Sequence, residues 1–529
     1  MITVTPEATG PAVSPGRARR DVVVAGALVV AAAAVYSVFA LVRYRTFRTT
    51  TYDLVIFDQA VRSYSRFHLP VAIVKGVHNG FGPHFTVLGD HFSPILAVLA
   101  PLYWLHDGPQ TLLVAQAVLL ALTIIPLWTF TRRRLGAWAA HCVAGVYALA
   151  WPVAETVAFD FHEMAFTPLL SMMMLERHDA GHRRQCLLAA GALLLVKEDM
   201  GLLVAGFGLY LLTRPGERRL AAVFVAAGLG WTWLASRVLI PAFGGAADYY
   251  WAYDALGRDL PHAAVHALTH PWTALKLLVT PGVKATTMAW LILPLLLVPL
   301  ASPITVAVLP LLAERMLANR FGNWWEPRFH YNVALTALLV AAGVDGARRL
   351  SRLRLPGPLA HRLRLLGPLA HRLRPPGLAH RRRPPEPNVR RLRLDLLWPV
   401  ATLLAAALVV PRFAFKHFFD PAFYRRDAHA RAAADAVAAV PRGALVEAAN
   451  IVGPQLSGRA RVLLWDTRVR WAPWVVADTT RATFPFPGLG AQRDRVRYLL
   501  QRGYTVVLRE DGWVVLHDPA VTPDLRATR

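Results

Sequence analysis

Cysteine is nearly absent from this chain of 529 residues: there are two, Cys142 and Cys186, both inside apolar runs. That excludes a disulfide framework and a thiolate metal site. Charge is scarce as well. Asp, Glu, Lys and Arg make up 17% of the residues, against about 25% in ordinary soluble domains. Acids are outnumbered by bases, 33 to 58, for a formal charge of +25. No Gly-rich phosphate loop stands after a strand, so there is no fingerprint for a soluble nucleotide sugar. Nor does the chain fall into two repeated halves with ionisable groups near the bilayer midplane, as a transporter would. What it has instead is apolar sequence, 55% of all residues, with a mean hydropathy of +0.37. The class expected is an α-helical polytopic membrane protein.

The basic excess is not spread along an exposed face. Much of it sits in one block, 348–393, which contains the repeat LRLPGPLAHR, LRLLGPLAHR, LRPPGLAHR. Its Pro and Gly content forbids a continuous helix, and it reads as a disordered cytoplasmic linker beside anionic lipid rather than as a nucleic-acid surface. Residues 1–21 read as a disordered N-terminus. Val22 to Val42 is long enough to span and no cleavage site precedes Arg43, so it is expected to be retained as the first helix. Further apolar runs bring the expected total to about eleven crossings, with the last at 394–411. Arg132 to Arg134, Arg177 with Arg183 and Arg184, Arg214 with Arg218 and Arg219, and the basic block fall in alternate loops. This places them and the N-terminus in the cytoplasm and the 43–94 loop outside the plasma membrane.

After residue 411 the pattern changes. Helix-like stretches near 428–440 and 493–502 alternate with strand-like 444–448, 461–465 and 475–478, and a hairpin turns at Gly512. A small α/β domain over 412–529 is expected, extracytoplasmic by crossing parity.

Ionisable residues gather in the loops on that outer side. Thr51 to Pro94 is the longest polar interval and carries Asp53, Asp58, His78, His84, Asp90 and His91. Within it, Leu54, Phe57, Val61 and Tyr64 form a stripe, so this segment is expected as an amphipathic helix lying in the membrane interface. Asp58 can pair with Arg62 four residues on, whereas Asp53 has no such partner. Asp160, His162 and Glu163 share the next outer turn and need a wet cavity. The two adjacent side chains His162 and Glu163 leave a divalent metal open but do not specify one. Lys197, Glu198 and Asp199 form either a self-neutralising trio or a phosphate-facing lysine with its neighbours. Glu314 and Arg315, then Arg328, His330 and Tyr331, complete the outer set.

YDLVIFDQA, DHFSPILAVLAPLYWL, FDFHEMAF, LLLVKEDMGLLVAGFGLYLL and RFHYN, in this order, resemble the bacterial polytopic family catalogued as domain of unknown function number two thousand and seventy-nine. The likeness runs over roughly 22–345 and more loosely over the C-terminal domain. That family is in turn similar to the GT-C glycosyltransferases, multi-pass enzymes that take a sugar from a polyprenyl-phosphate carrier at the outer membrane face. The resemblance implies a GT-C-like transmembrane domain and an inverting transfer to a glycan, lipid or protein acceptor. An Asp just past the first helix is the base in that superfamily, which assigns the role to Asp53. The usual acid pair is replaced by Asp53-Leu54, with the second acid displaced to Asp58, which the resemblance therefore leaves as the alternative base. His91 matches a basic residue before the second crossing, and Lys197 a lysine at the end of a short helix pair. Lys197, with Arg328 or His91, is expected to hold the departing phosphate, and His162 and Glu163 to orient sugar or acceptor. Asp160, Glu198, Asp199 and His330 complete the expected substrate-binding set. The competing class is non-enzymatic: an envelope-lipid carrier or a scaffold presenting its outer domain.

Overall fold

Proline and helix length decide how the apolar runs fold. The computed structural model describes residues 15–246, 250–352 and 394–526. The basic repeat and the first fourteen residues lie outside them. Among the described residues, four helices are long and apolar enough to cross a membrane: Arg19–Arg45, Gln110–Leu135, Arg218–Ala242 and Leu394–Arg412. The count reaches 6 if two bent pairs each form one span, Ala137–Ala148 with Trp151–Ala158 and Pro271–Val279 with Val283–Leu295. The first helix, α1, starts earlier than hydropathy indicates, at Pro15, and runs to Arg45.

The runs at 285–300 and 304–317 are not continuous helices. Pro294, Pro299, Pro303 and Pro310 each remove a backbone donor, and Leu296 and Leu297 take left-handed conformations. Such broken backbone needs cover from protein. The helix Val333–Ser351 supplies it, packing on 298–301 and 303–308. Its residues Val333 to Ala347 are all buried, so this helix, apolar on every side, is the axis of the bundle.

That axis has two chemically different ends. At its C-terminal end Asp345 accepts from Arg134, Arg349 and Ser302, and Arg134 also binds Asp179. Arg133 pairs with Glu176 alongside. Arg133 and Arg134, two of the arginines that the sequence assigns to one face, meet at this end of the bundle. At the other end stand His330 and Asn332, with the acid- and His-bearing loops around them.

The C-terminal domain is built from the strands its alternation predicts. They are β1 (Leu445–Ala448), β2 (Arg461–Leu464), β3 (Trp474–Asp478), β4 (Thr505–Glu510) and β5 (Trp513–His517), in the order β2-β1-β3-β5-β4. β1 runs parallel to both β2 and β3, and β5 antiparallel to β3 and β4. The β4–β5 turn uses Asp511 and Gly512 at positive φ, 40° and 86°, the hand that matches strand twist. Inside the domain Glu447 is buried and held by Arg495 at 3.0 Å and the Arg470 backbone at 3.2 Å. Arg495→Met would strand that carboxylate, and unfolding scans are expected to show the domain destabilised by about 3–5 kcal/mol.

This domain docks on the segment that follows α1. Gln59 Nε2 donates to Val462 O at 3.1 Å, His78 pairs with Asp466 at 2.7 Å, and Gln455 donates to Tyr44 O at 2.5 Å. The helix α2 (Ile56–Ser65) that carries the predicted stripe therefore buries Ile56, Phe57, Ala60 and Val61 inside the protein. Its apolar face is not left free for the membrane interface as expected, because the turns at 94–104 and 87–89 and the short helix at 73–78 cover it.

Candidate functional site

Four stretches far apart in sequence meet at the N-terminal end of the axial helix: 50–55, 90–93, 159–163 and 197–199, with His330 and Tyr331 closing the group.

Asp53 stands in an unusual backbone, φ 89° and ψ −76°, a conformation that costs a non-Gly residue about 1–3 kcal/mol. Such a residue persists only when its surroundings over-determine it. Here the C-terminal domain does so. Asn450 O accepts from Thr51 N at 2.5 Å and from Thr51 Oγ1 at 2.8 Å, and Asn450 Oδ1 accepts from Tyr52 N at 3.0 Å. Gly453 permits this approach, since a Cβ there would fall within the contact radius of Thr51 Oγ1. Asp53 is held from behind, and its carboxylate turns to His162.

His162 Nε2 lies 3.6 Å from Asp53 Oδ1 and its Nδ1 lies 3.1 Å from Glu163 Oε2. The loop is fixed by Gln116, whose side chain accepts from His162 N at 3.1 Å and donates to Thr156 O at 2.9 Å. The His330 ring stacks on the His162 ring with centroids 3.7 Å apart. Burial alone would lower His162, but Glu163 and Asp53 outweigh it and raise its pKa to about 9. Glu163, which burial would raise, is brought down to about 2 by His162, with Lys197 and His91 adding to the effect. His330 is held well below its ordinary value by burial and by the charge on His162, so one imidazolium faces one neutral imidazole.

The signs define a pH window. His162, raised above its unfolded value of about 6.5, contributes its full stabilisation below that pH and loses it as pH rises toward about 9. Glu163, depressed, contributes above about 4.5 and loses its share as pH falls toward about 2. The intact Asp53–His162–Glu163 chain is thus expected to hold through neutrality and to loosen on an alkaline limb. His162→Gln is expected to erase that limb from the pH profile of any activity at the site. A limb that survives the substitution would assign it to another group.

Lys197 sits in the turn between two short helices, Arg183–Leu194 and Met200–Leu212, 3.6 Å from Asp199 and 5.9 Å from the Tyr331 ring centroid. Burial would lower it, but Asp199, Glu198 and Glu163 keep it protonated. Glu198 Oε1 binds His91 Nδ1 at 2.8 Å and Glu198 Oε2 accepts from Phe92 N at 3.1 Å. His91 stacks on Tyr250, whose hydroxyl donates to Asp90 at 2.6 Å. Lys75, 2.8 Å from Asp90 and 3.3 Å from the Tyr52 hydroxyl, is a second buried cation at this edge. Arg315 braces the far side through Trp324 O, Tyr331 O and Asn332 Oδ1.

The fold thus gathers Asp53, His91, His162, Glu163, Lys197, Glu198, Asp199 and His330. Two expected members do not join. Asp58 is buried and spent: Arg62 binds both its oxygens, Tyr103 donates at 2.8 Å, and Ser457 donates to its second oxygen. Arg328 is 72% exposed and pairs with Glu326 at 2.6 Å. Asp160 lies between the site and a neighbouring cavity, accepting from Thr50 N at 2.8 Å and from Thr50 Oγ1, with Arg43 3.7 Å away. Burial pushes Asp160 up to about 6 against the pull of Arg43 and Thr50.

The residues fit a metal poorly. Among the described residues no three His, Cys, Asp or Glu side chains are gathered as a metal ion requires, and His162 and Glu163 are engaged with each other. Polar atoms without a partner among the described residues do cluster here: Glu163 Oε1, Asp199 Oδ1, Asn332 Nδ2 and both ring nitrogens of His330. Buried polar groups are rarely left so, and their grouping is the mark of a site built for a polar ligand. Lys75, Gln116, Asn450 and Gly453 belong to this construction and were not singled out in the sequence. A lysine inside the 51–94 interval was the one available signal.

The family model for predicted membrane proteins named DUF2079 matches residues 43–515. No curated protein matches the chain. Among solved structures, ArnT from Cupriavidus metallidurans bound to undecaprenyl phosphate aligns with 98% of this chain and 100% of its own at 15% identity and a TM-score of 0.46, a likeness below the level that identifies a fold.

Proposed function

We propose, for a chain that belongs to the DUF2079 family of predicted membrane proteins, that it is a glycosyltransferase. It would take a sugar from a polyprenyl-phosphate donor and pass it, with inversion, to an acceptor hydroxyl at the outer face of the plasma membrane. One observation carries this reading: a carboxylate in strained backbone, backed by a His–Glu pair and flanked by buried lysines, at one end of a membrane bundle. The acceptor O–H gives its proton to Asp53 as its oxygen bonds to the anomeric carbon. The bond from that carbon to the phosphate oxygen breaks, and the electron pair leaves with the polyprenyl phosphate. Lys197 meets the charge that develops there, with Lys75 on the opposite edge. His162, charged, keeps Asp53 aimed, while Glu163 balances His162. His91 and Glu198 position Lys197, and the neutral His330 offers ring nitrogens to a sugar hydroxyl.

The docking of the C-terminal domain on the Asp53 segment supports a reading in which both are extracytoplasmic and the N-terminus is cytoplasmic. The test is direct. Purified protein in lipid is given a panel of polyprenyl-phosphate-linked sugars, and release of free polyprenyl phosphate is measured together with the anomeric configuration of the product. Inverted product with released carrier is expected. No release from any donor by folded protein would leave a scaffold or lipid carrier as the reading.

A further inference from the structure

Beyond Asp160 lies a cavity of about 570 Å³ whose wall is rich in cations: Arg43, Arg48, Arg412 and Lys416, against the carboxylate of Glu155. Arg328 and His417 also reach it, but Arg328 is taken by Glu326. Among the described residues Arg48, Arg412 and Lys416 form no ion pair, whereas Arg43 Nη1, without a hydrogen-bond partner, has Asp160 3.7 Å away. The contrast with the Asp53 group is plain, because there Lys197 and Lys75 each face a carboxylate. An added anion would be more favourably placed in this cavity.

Its position points to the source of that anion. Arg43 lies in the last turn of the span Arg19–Arg45, Arg412 ends the span Leu394–Arg412, and Glu155 lies in the last turn of the bent pair that closes at Ala158. Three membrane-crossing elements stop at this level, where lipid phosphates reside. The remaining wall is aromatic, with Phe39, Phe413 and Phe423, and Val35, Val38 and Leu408 on the two spans are exposed. A phosphate headgroup can therefore sit among the cations while its chains run along apolar helix surface.

We infer that this cavity binds the phosphate headgroup of a membrane lipid, at a site separate from the Asp53 group. Guanidinium and ammonium groups at a partly desolvated interface form charge-assisted bonds to phosphate oxygens, and Glu155 sets the limit on how much negative charge is accepted.

The experiment places the full chain in phosphatidylcholine nanodiscs doped with phosphatidic acid and measures retained lipid by native mass spectrometry. The double substitution R412Q/K416Q is expected to lower phosphatidic acid retention roughly tenfold. Glu155→Gln keeps an acceptor for the Ala414 N–H, now 2.8 Å away, and is expected to raise retention about threefold. A gain of that kind does not arise from misfolding. Equal retention by wild type and both variants overturns the inference. Displacement by inorganic phosphate at comparable concentration overturns the lipid source in favour of the free anion, and resistance to it supports the lipid. These three residues lie outside the Asp53 group, so the result stands whether or not sugar transfer is detected.

Discussion

Asp53→Asn is expected to reduce sugar transfer by about 10²–10⁴-fold while the chain still inserts and folds. The substitution keeps the size of the side chain and removes its charge. Asn tolerates positive φ better than most residues, so the 89° backbone at this position survives, and Asn450 still holds Thr51 and Tyr52. What is lost is the proton acceptor. The loss is expected in kcat rather than KM, because a general base acts on the transition state while the donor's phosphate is held elsewhere. Size-exclusion profiles and transfer rates measured on the same preparation decide the matter. Wild-type transfer by the Asn variant removes Asp53 as the base. Asp58→Asn provides the contrast: its carboxylate ties Arg62, Tyr103 and Ser457 together, so the expected outcome is instability.

Gly453→Val has the next largest expected effect, at a residue that touches no substrate. The added branched side chain collides with Thr51, whose backbone and hydroxyl both bond to Asn450 O. Forcing extra atoms into a packed contact costs about 1–3 kcal/mol, comparable with the strain stored at Asp53. Relief is expected to come by withdrawal of the Asn450 turn, which frees Tyr52 N and lets Asp53 relax to ordinary φ. Transfer is expected to fall about 10–100-fold through misplacement of the base, with faster proteolysis between the bundle and the C-terminal domain. Gly453→Ala should fall between wild type and Val. If the Val variant loses domain docking yet transfers at the wild-type rate, the C-terminal domain does not position Asp53.

Much of the fold was legible without coordinates. The first span, the five strands and the hairpin at Gly512 depend on signals carried by neighbouring residues, namely run length, alternation and turn chemistry. The candidate residues were legible for a related reason: ionisable side chains between apolar runs are costly unless a polar pocket receives them. The count of crossings was less legible, since hydropathy registers apolar content but not the breaks that prolines such as Pro294, Pro299 and Pro303 introduce. The stripe on α2 was read with the right face and the wrong neighbour, because periodicity reports that a face is buried and not what buries it.

By itself the sequence determined that this is a membrane protein with a small α/β domain, and which acids, histidines and lysines were candidates. Tertiary structure gave Asp53 and Asp58, two carboxylates five positions apart, different surroundings. Their partners come from Asn450, 398 positions beyond Tyr52, and Ser457, 399 beyond Asp58. Ser457 completes the shell that Arg62 and Tyr103 build around both oxygens of Asp58, while Asn450 holds the backbone before Asp53, which stands strained and facing His162. The local i,i+4 pattern already pairs Asp58 with Arg62, but the donors that complete its shell come from Tyr103 and Ser457, and which carboxylate is left without such donors depends on what the fold brings within about 3 Å.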